Sequence, residues 1–129
     1  NKTKQNIIIE KKYDKKSGLI NCFPGQLNQV FLNILSNAIE AMNGEGKIII
    51  STFIKKEKLV ISVKDDGMGM TKKVKDKVFE PFYTTKGVGE GVGLGLSISY
   101  GIIKKHDGDI SVKSQPNEGT EFKIKLPLI

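Results

Sequence analysis

A chain of 129 residues suits one domain around one core, and a hydrophobic share of 38% is ordinary for a globular protein. The net charge of +7 comes entirely from lysine. Without arginine there is no bidentate fork for guanine or phosphate, and the lysines fall in dispersed pairs such as Lys55–Lys56 and Lys104–Lys105, so direct nucleic-acid binding is not expected. No apolar run is long enough to cross a bilayer, and no signal-peptide core follows the polar start. The single Cys22 excludes an internal disulfide and a cysteine metal cluster. With Asn1 in place of an initiator Met, the chain is expected to be a piece of a longer one.

In chain order, residues 6–13 read as a strand opening on Ile7, Ile8 and Ile9. Residues 14–18 form a turn, and residues 19–23 are short, extended and lead into Pro24. The clearest helix covers residues 25–42. There Leu27, Val30, Phe31, Ile34, Leu35, Ala38, Ile39 and Met42 make one apolar stripe, bounded by Pro24 before it and Asn43-Gly44 after it. Residues 47–56 and 59–64 read as a hairpin turning at Glu57-Lys58, then a loop to Met70. Residues 71–78 form a short helix with Thr71 as its N-cap. After a glycine-rich stretch at 79–92, residues 93–105 make a second long helix, with Leu94, Ile98, Ile102 and Lys105 along one side. Residues 109–114 and 120–126 close the chain as a hairpin around Pro116-Asn117-Glu118-Gly119. This order predicts an α/β (α+β) fold: a two-layer sandwich of a mixed, mostly antiparallel sheet with helices on one face.

Three groups of residues carry chemistry. Asn33 and Asn37 stand one turn apart on one side of the long helix. Asparagine is a poor choice for a helix interior because its amide competes with the backbone. Here its carbonyl could serve a hard cation such as magnesium, or the pair could simply form a solvated polar face. Asp65-Asp66-Gly67-Met68-Gly69 follows a strand directly. Its aspartate can accept from an exocyclic amine and its glycines allow close backbone approach, although Asp-Gly turns are common. Alternating glycines at Gly87, Gly89, Gly91, Gly93 and Gly95 run into a helix start, where amides and dipole favour an anion. This stretch is neither a Walker loop nor a dinucleotide fingerprint.

Taken together, these segments resemble the catalytic domain of sensor histidine kinases. Residues 29–38 resemble its N box, 65–70 its G1 box, 79–86 its F box and 91–97 its G2 box. Asn117-Glu118-Gly119-Thr120 before Leu126-Pro127 resembles its closing glycine-threonine motif. The five motifs keep the family's order over roughly residues 6–127, and the branch including the nitrogen-regulation and sporulation kinases is the nearest in character. The resemblance implies the Bergerat fold shared with gyrase B, Hsp90 and MutL, and binding of ATP with Mg2+ by a domain occupying residues 1–129. It implies Asn37 as metal ligand, Asn33 near the phosphates, and Asp65 on the adenine amine with support from Thr120. Gly67 and Gly69 would leave room for the ring. Gly91, Gly93, Leu94 and Gly95 would hold phosphate through their amides. Lys86 would reach phosphate from a lid at 83–92, and Phe79 and Phe82 would anchor that lid.

The resemblance also implies departures and partners. Asp66 stands where asparagine is commonest and would add negative charge near the nucleotide; Val92 lacks a frequent threonine hydroxyl; Glu40 replaces a basic residue. Asn33 occupies the place of the glutamate general base of hydrolysing relatives, and an amide cannot take a proton from water. Phosphoryl transfer to a protein is therefore expected in preference to fast hydrolysis, and Phe79-Glu80-Pro81-Phe82 argues the same way; a serine-directed anti-sigma kinase and a non-catalytic nucleotide-binding module stay as the rival readings. The acceptor histidine would lie on an absent dimerisation domain, and a response-regulator receiver domain would take the phosphoryl group onward. The full-length protein would be a homodimer. This domain would work in the cytoplasm without touching the membrane. His106, the only histidine, is expected to cap carbonyls at a helix end.

Overall fold

Apolar residues at every second position make Leu59, Ile61 and Val63 one face of a strand, and they meet Leu126, Ile124 and Phe122 directly across an antiparallel ladder. That pair is the middle of the sheet in the computed structural model, which describes residues 6–15, 18–81 and 95–129. The strands are β1 (Asn6–Tyr13), β2 (Glu45–Lys55), β3 (Lys58–Asp65), β4 (Asp109–Ser114) and β5 (Thr120–Pro127). Their order across the sheet is β1-β2-β3-β5-β4. Only β1 and β2 run parallel. A parallel neighbour needs a crossover, and the helix between them, α1 (Pro24–Ala41), supplies it. The expected mixed, mostly antiparallel sheet is what is found.

The long helix starts one residue earlier than expected, at Pro24, because proline's fixed φ suits the first turn. It ends at Ala41, and Met42 becomes its C-cap, with its N–H on the Ile39 carbonyl. Leu27, Val30, Ile34 and Ala38 are buried from this helix and Ile103 from α3 (Gly95–Lys105). They join Ile48, Ile61, Val63, Phe122, Ile124 and Leu126 in one core. Phe79 packs on it and meets Phe122 edge-on at 6.1 Å. Thr71 caps α2 (Lys72–Lys77) as expected, accepting from the Val74 N–H at 3.3 Å.

Two expectations need correction. The first hairpin turns at Lys56–Glu57, both with positive φ, and Lys58 already pairs with Lys55. A two-residue turn of this hand matches strand twist, and neither residue advertises it. The stripe on α3 is phased differently: Ser99 and Ile103 face the core while Ile98 stays 42% exposed and Ile102 is half-buried. Ser99 is fully buried, and a polar residue is invisible to a search for apolar periodicity.

Candidate functional site

The site expected from sequence is built around one side of α1, and that helix meets two other segments there. Midway along it, the Asn33 amide reaches α3, donating through Nδ2 to the Gly95 carbonyl at 2.9 Å and to Ser99 Oγ at 3.1 Å. One turn on lies Asn37, half-buried; among the described residues no hydrogen bond is made by its amide. One further turn on, the Ala41 carbonyl accepts the Met68 N–H at 3.0 Å and so holds the loop after β3. Asn33, Asn37 and Ala41 are successively four residues apart, so the three positions are spread over about 12 Å of helix at 1.5 Å per residue.

Asp65 ends β3 and is only 4% exposed. Its Oδ1 accepts the Gly67 N–H at 2.8 Å. Burial pushes the carboxyl above its ordinary value; the Gly67 and Thr120 amides pull it part of the way back, and the charge of Asp66 adds to the rise. Desolvation of a lone carboxylate is the dominant effect here. Thr120 lies opposite Asp65 in the β3–β5 ladder. Its Oγ1 meets Ser114 Oγ at 2.8 Å, and Ser114 also donates to the Gly119 carbonyl and accepts from the Met70 N–H. Ser114 thus ties the loop after β3 to the β4–β5 turn. Sequence reasoning passed over it, although as the last residue before the turn it pairs with Thr120, and the hairpin boundaries already marked that pairing.

Gly67 and Gly69 were expected to clear space for a flat ring. The structure gives them a different neighbour. A Cβ on Gly67 would lie 2.6 Å from the Ala41 carbonyl oxygen, and one on Gly69 would lie 1.9 Å from the Gln115 carbonyl oxygen. Gly69 also has φ +72°, a region that other residues enter at a cost. Both glycines let the loop press against protein backbone, α1 on one side and the β4–β5 turn on the other. Asp66 is exposed, and its Oδ1 is committed to the Lys47 N–H at 2.9 Å, which caps the sheet beside β2.

Gly95 begins α3. Lys86, Gly91, Gly93, Leu94, Tyr83, Phe82 and Val92 lie outside the described residues, so the expected cleft has one wall among those not described. Two surface hollows are formed by described residues. One, of about 400 Å³, runs past Cys22, Phe23, His106 and Leu128; the other, of about 500 Å³, is bordered by Lys64, Lys75, Lys113, Ser114 and Thr120. Neither includes Asn33, Asn37 or Asp65.

His106 sits at the far end of α3. Its Nδ1 lies 2.8 Å from the Ile102 carbonyl and its Nε2 accepts the Phe23 N–H at 3.1 Å. The second contact requires a bare Nε2, so Nδ1 carries the proton and donates. Both nitrogens of this buried ring are therefore occupied by backbone, as the capping expectation required.

The sequence profile described as "Histidine kinase-, DNA gyrase B-, and HSP90-like ATPase" matches residues 23–129. The chain is 44% identical over 124 residues to Sporulation kinase C of Bacillus subtilis (strain 168), covering 95% of this chain and 28% of that protein. To Sporulation kinase E of the same organism it is 48% identical over 110 residues, 84% of this chain and 15% of that protein. The catalytic domain of histidine kinase ThkA superposes with a TM-score of 0.83 at 35% identity, covering 95% of this chain and 80% of that one. Full-length ShkA in complex with AMPPNP superposes with a TM-score of 0.83 at 26% identity over 95% of this chain and 26% of its own length. The chain therefore spans less than a third of the curated relatives it matches, and on that match it belongs to the histidine kinase-, DNA gyrase B- and HSP90-like ATPase family.

Proposed function

We propose that residues 1–129 form the ATP-binding catalytic domain of a sensor histidine kinase, which delivers the γ-phosphoryl group of ATP to a histidine on a dimerisation domain elsewhere in the full-length protein. The observation that carries this reading is the line of contacts along α1. It brings the start of α3, the Asn37 amide and the loop of the buried Asp65 to one helix side at successive turns. Adenine at one end, metal in the middle and phosphates at the other would match that sequence of groups. The AMPPNP held by ShkA lends support from a structural relative.

In this reading Asp65 accepts from the adenine amine, and Thr120 helps orient its carboxylate. The amides of Gly91, Gly93, Leu94 and Gly95 hold phosphate at the N-terminus of α3, and Lys86 adds a positive charge. For Mg2+ the donor set fits a shared site. Asn37 offers one amide oxygen, and the described residues contain no cluster of three or more His, Cys, Asp or Glu that would cage an ion. A hard cation that keeps waters and phosphate oxygens needs little more from protein, and once bound it neutralises phosphate charge. Catalysis by the chain itself is then orientation plus charge stabilisation. Asn33 cannot serve as a base, so water is not activated there and the bond to γ-phosphorus forms with the acceptor imidazole while the bridging oxygen leaves on ADP.

The further partners follow from this role: a response-regulator receiver domain as the next phosphoryl acceptor and a second copy of the full-length chain as dimer mate. The domain works in the cytoplasm, where ATP is; among the described residues no helix is long and apolar enough to cross a membrane. Mixing the chain with a separately prepared acceptor domain and γ-labelled ATP tests the proposal. Label on the acceptor histidine is expected, with none on the 129-residue chain. Nucleotide binding without transfer would leave a non-catalytic module instead.

A further inference from the structure

The one fully buried polar side chain of α3 is Ser99, and neither the core nor the family motifs account for it. Its hydroxyl accepts from Asn33 Nδ2 at 3.1 Å and donates to the Gly95 carbonyl at 3.0 Å. Asn33 Nδ2 also reaches that same carbonyl at 2.9 Å. The Asn33 nitrogen is thereby turned toward α3, where the three distances close a near-equilateral triangle. The orientation is not arbitrary. An inverted amide would set Oδ1 against the Gly95 oxygen, with no hydrogen between them. Ser99 cannot relieve this, because its proton is already on Gly95. The three groups form a closed clasp, and among the described residues the polar atom of Asn33 left over is its carbonyl oxygen.

We propose that Ser99 is a positioning residue for nucleotide binding: it fixes the Asn33 amide with its oxygen turned out of the clasp and pins the first turn of α3 to α1. The inference rests on the proposed function, since it concerns how that site is held. Two consequences follow from the geometry. The Asn33 nitrogen faces α3, so it is the carbonyl oxygen that Asn33 offers a ligand, as an acceptor toward a cation or its waters. The amides at the start of α3 are held at a fixed distance from Asn37 by a hydroxyl that touches no ligand.

The test is a double-mutant cycle on the 129-residue chain with Ser99→Ala and Asn33→Ala, read by calorimetric Kd for ADP with and without Mg2+ and by melting temperature. Loss of one hydrogen bond should weaken binding about fivefold in Ser99→Ala, with the larger loss in the presence of Mg2+. In the Asn33→Ala background the same change should leave Kd unaltered, because Ser99 acts through Asn33. Ser99→Cys, closer in volume and a poorer hydrogen-bonder, should fall between wild type and alanine. Equal weakening in both backgrounds, or unchanged Kd in Ser99→Ala with its melting temperature intact, overturns the proposal. Should the wild-type chain bind no nucleotide at all, the reading of the function fails first, and the two failures are thus distinct.

Discussion

Replacing Asp65 by asparagine should separate stability from recognition at the same atom. The carboxylate is 4% exposed and one oxygen is held by the Gly67 N–H. An asparagine can keep that bond through its own oxygen, but its second atom then becomes an NH2 group facing the adenine amine, donor against donor. Loss of one hydrogen bond to a charged acceptor is worth about 2 to 3 kcal/mol, a weakening of Kd by roughly 30- to 150-fold. The folded chain should not suffer. Burial raises the pKa of Asp65 in the folded state, so the folded chain holds this proton more tightly than the unfolded one. As pH rises from the ordinary carboxyl value through the raised one, the unfolded chain is favoured and stability declines; above that window the penalty is constant. Asp65→Asn removes the decline, and its melting temperature at pH 7 should equal or exceed that of wild type. Calorimetry with ATP from pH 7 downward completes the test. Protonation converts the needed acceptor into a donor, so the wild-type advantage over Asp65→Asn should shrink as pH falls, starting above the range of an ordinary aspartate. Titration of the phosphates cancels in that difference. An asparagine variant that binds as tightly as wild type would remove adenine recognition from this residue, and one that melts well below wild type would refute the burial argument.

Other outcomes follow from the same structure. Asn37→Ala should bring ATP affinity in Mg2+ down to its Mg2+-free value while the melting temperature stays close to wild type; an unaltered metal dependence, measured by calorimetry, would place the ion elsewhere. Gly69→Ala must fit a Cβ 1.9 Å from the Gln115 carbonyl at φ +72°. It should lose about 2 to 4 kcal/mol in urea unfolding, more than its surface position alone would give. Ile34, fully buried between α1 and the sheet, should cost about 3 to 4 kcal/mol as alanine. His106→Ala strands the Phe23 N–H and should cost about 1 to 3 kcal/mol of stability, yet leave transfer to an added acceptor domain intact at temperatures where the variant is folded; a loss of transfer beyond the loss of folded protein would give this ring a role in the chemistry.

How far the chain was legible depended on what kind of pattern each residue makes. Alternation in β3 and β5 and the apolar stripe of α1 are repeated signals, and the sheet and the first helix could be read from them to within a residue or two. The Lys56–Glu57 turn was placed one residue late because two charged residues adopt a left-handed conformation without glycine or asparagine to mark it. Ser99 was missed for the opposite reason. It is buried because a partner 66 residues away satisfies it, and no local window contains that partner.

The two glycines of the loop after β3 show how a sequence can mark a residue without marking its neighbour. Sequence says only that a Cβ is unwelcome at Gly67 and Gly69; it does not say what stands in the way. A ligand and a backbone carbonyl exclude the same atom. In the fold the obstacle is Ala41 for one and Gln115 for the other, so these glycines shape the loop first and any pocket through it. That ordering has a consequence for the whole site. Asp65 is held by the Gly67 amide, the loop is held by Ala41, and Ala41 ends the same helix whose Asn33 is clasped by Ser99. The second half of α1, from Asn33 to Ala41, therefore sets the spacing between the loop that carries the carboxylate and the start of α3, and a change at either contact should be felt first by a ligand long enough to reach both.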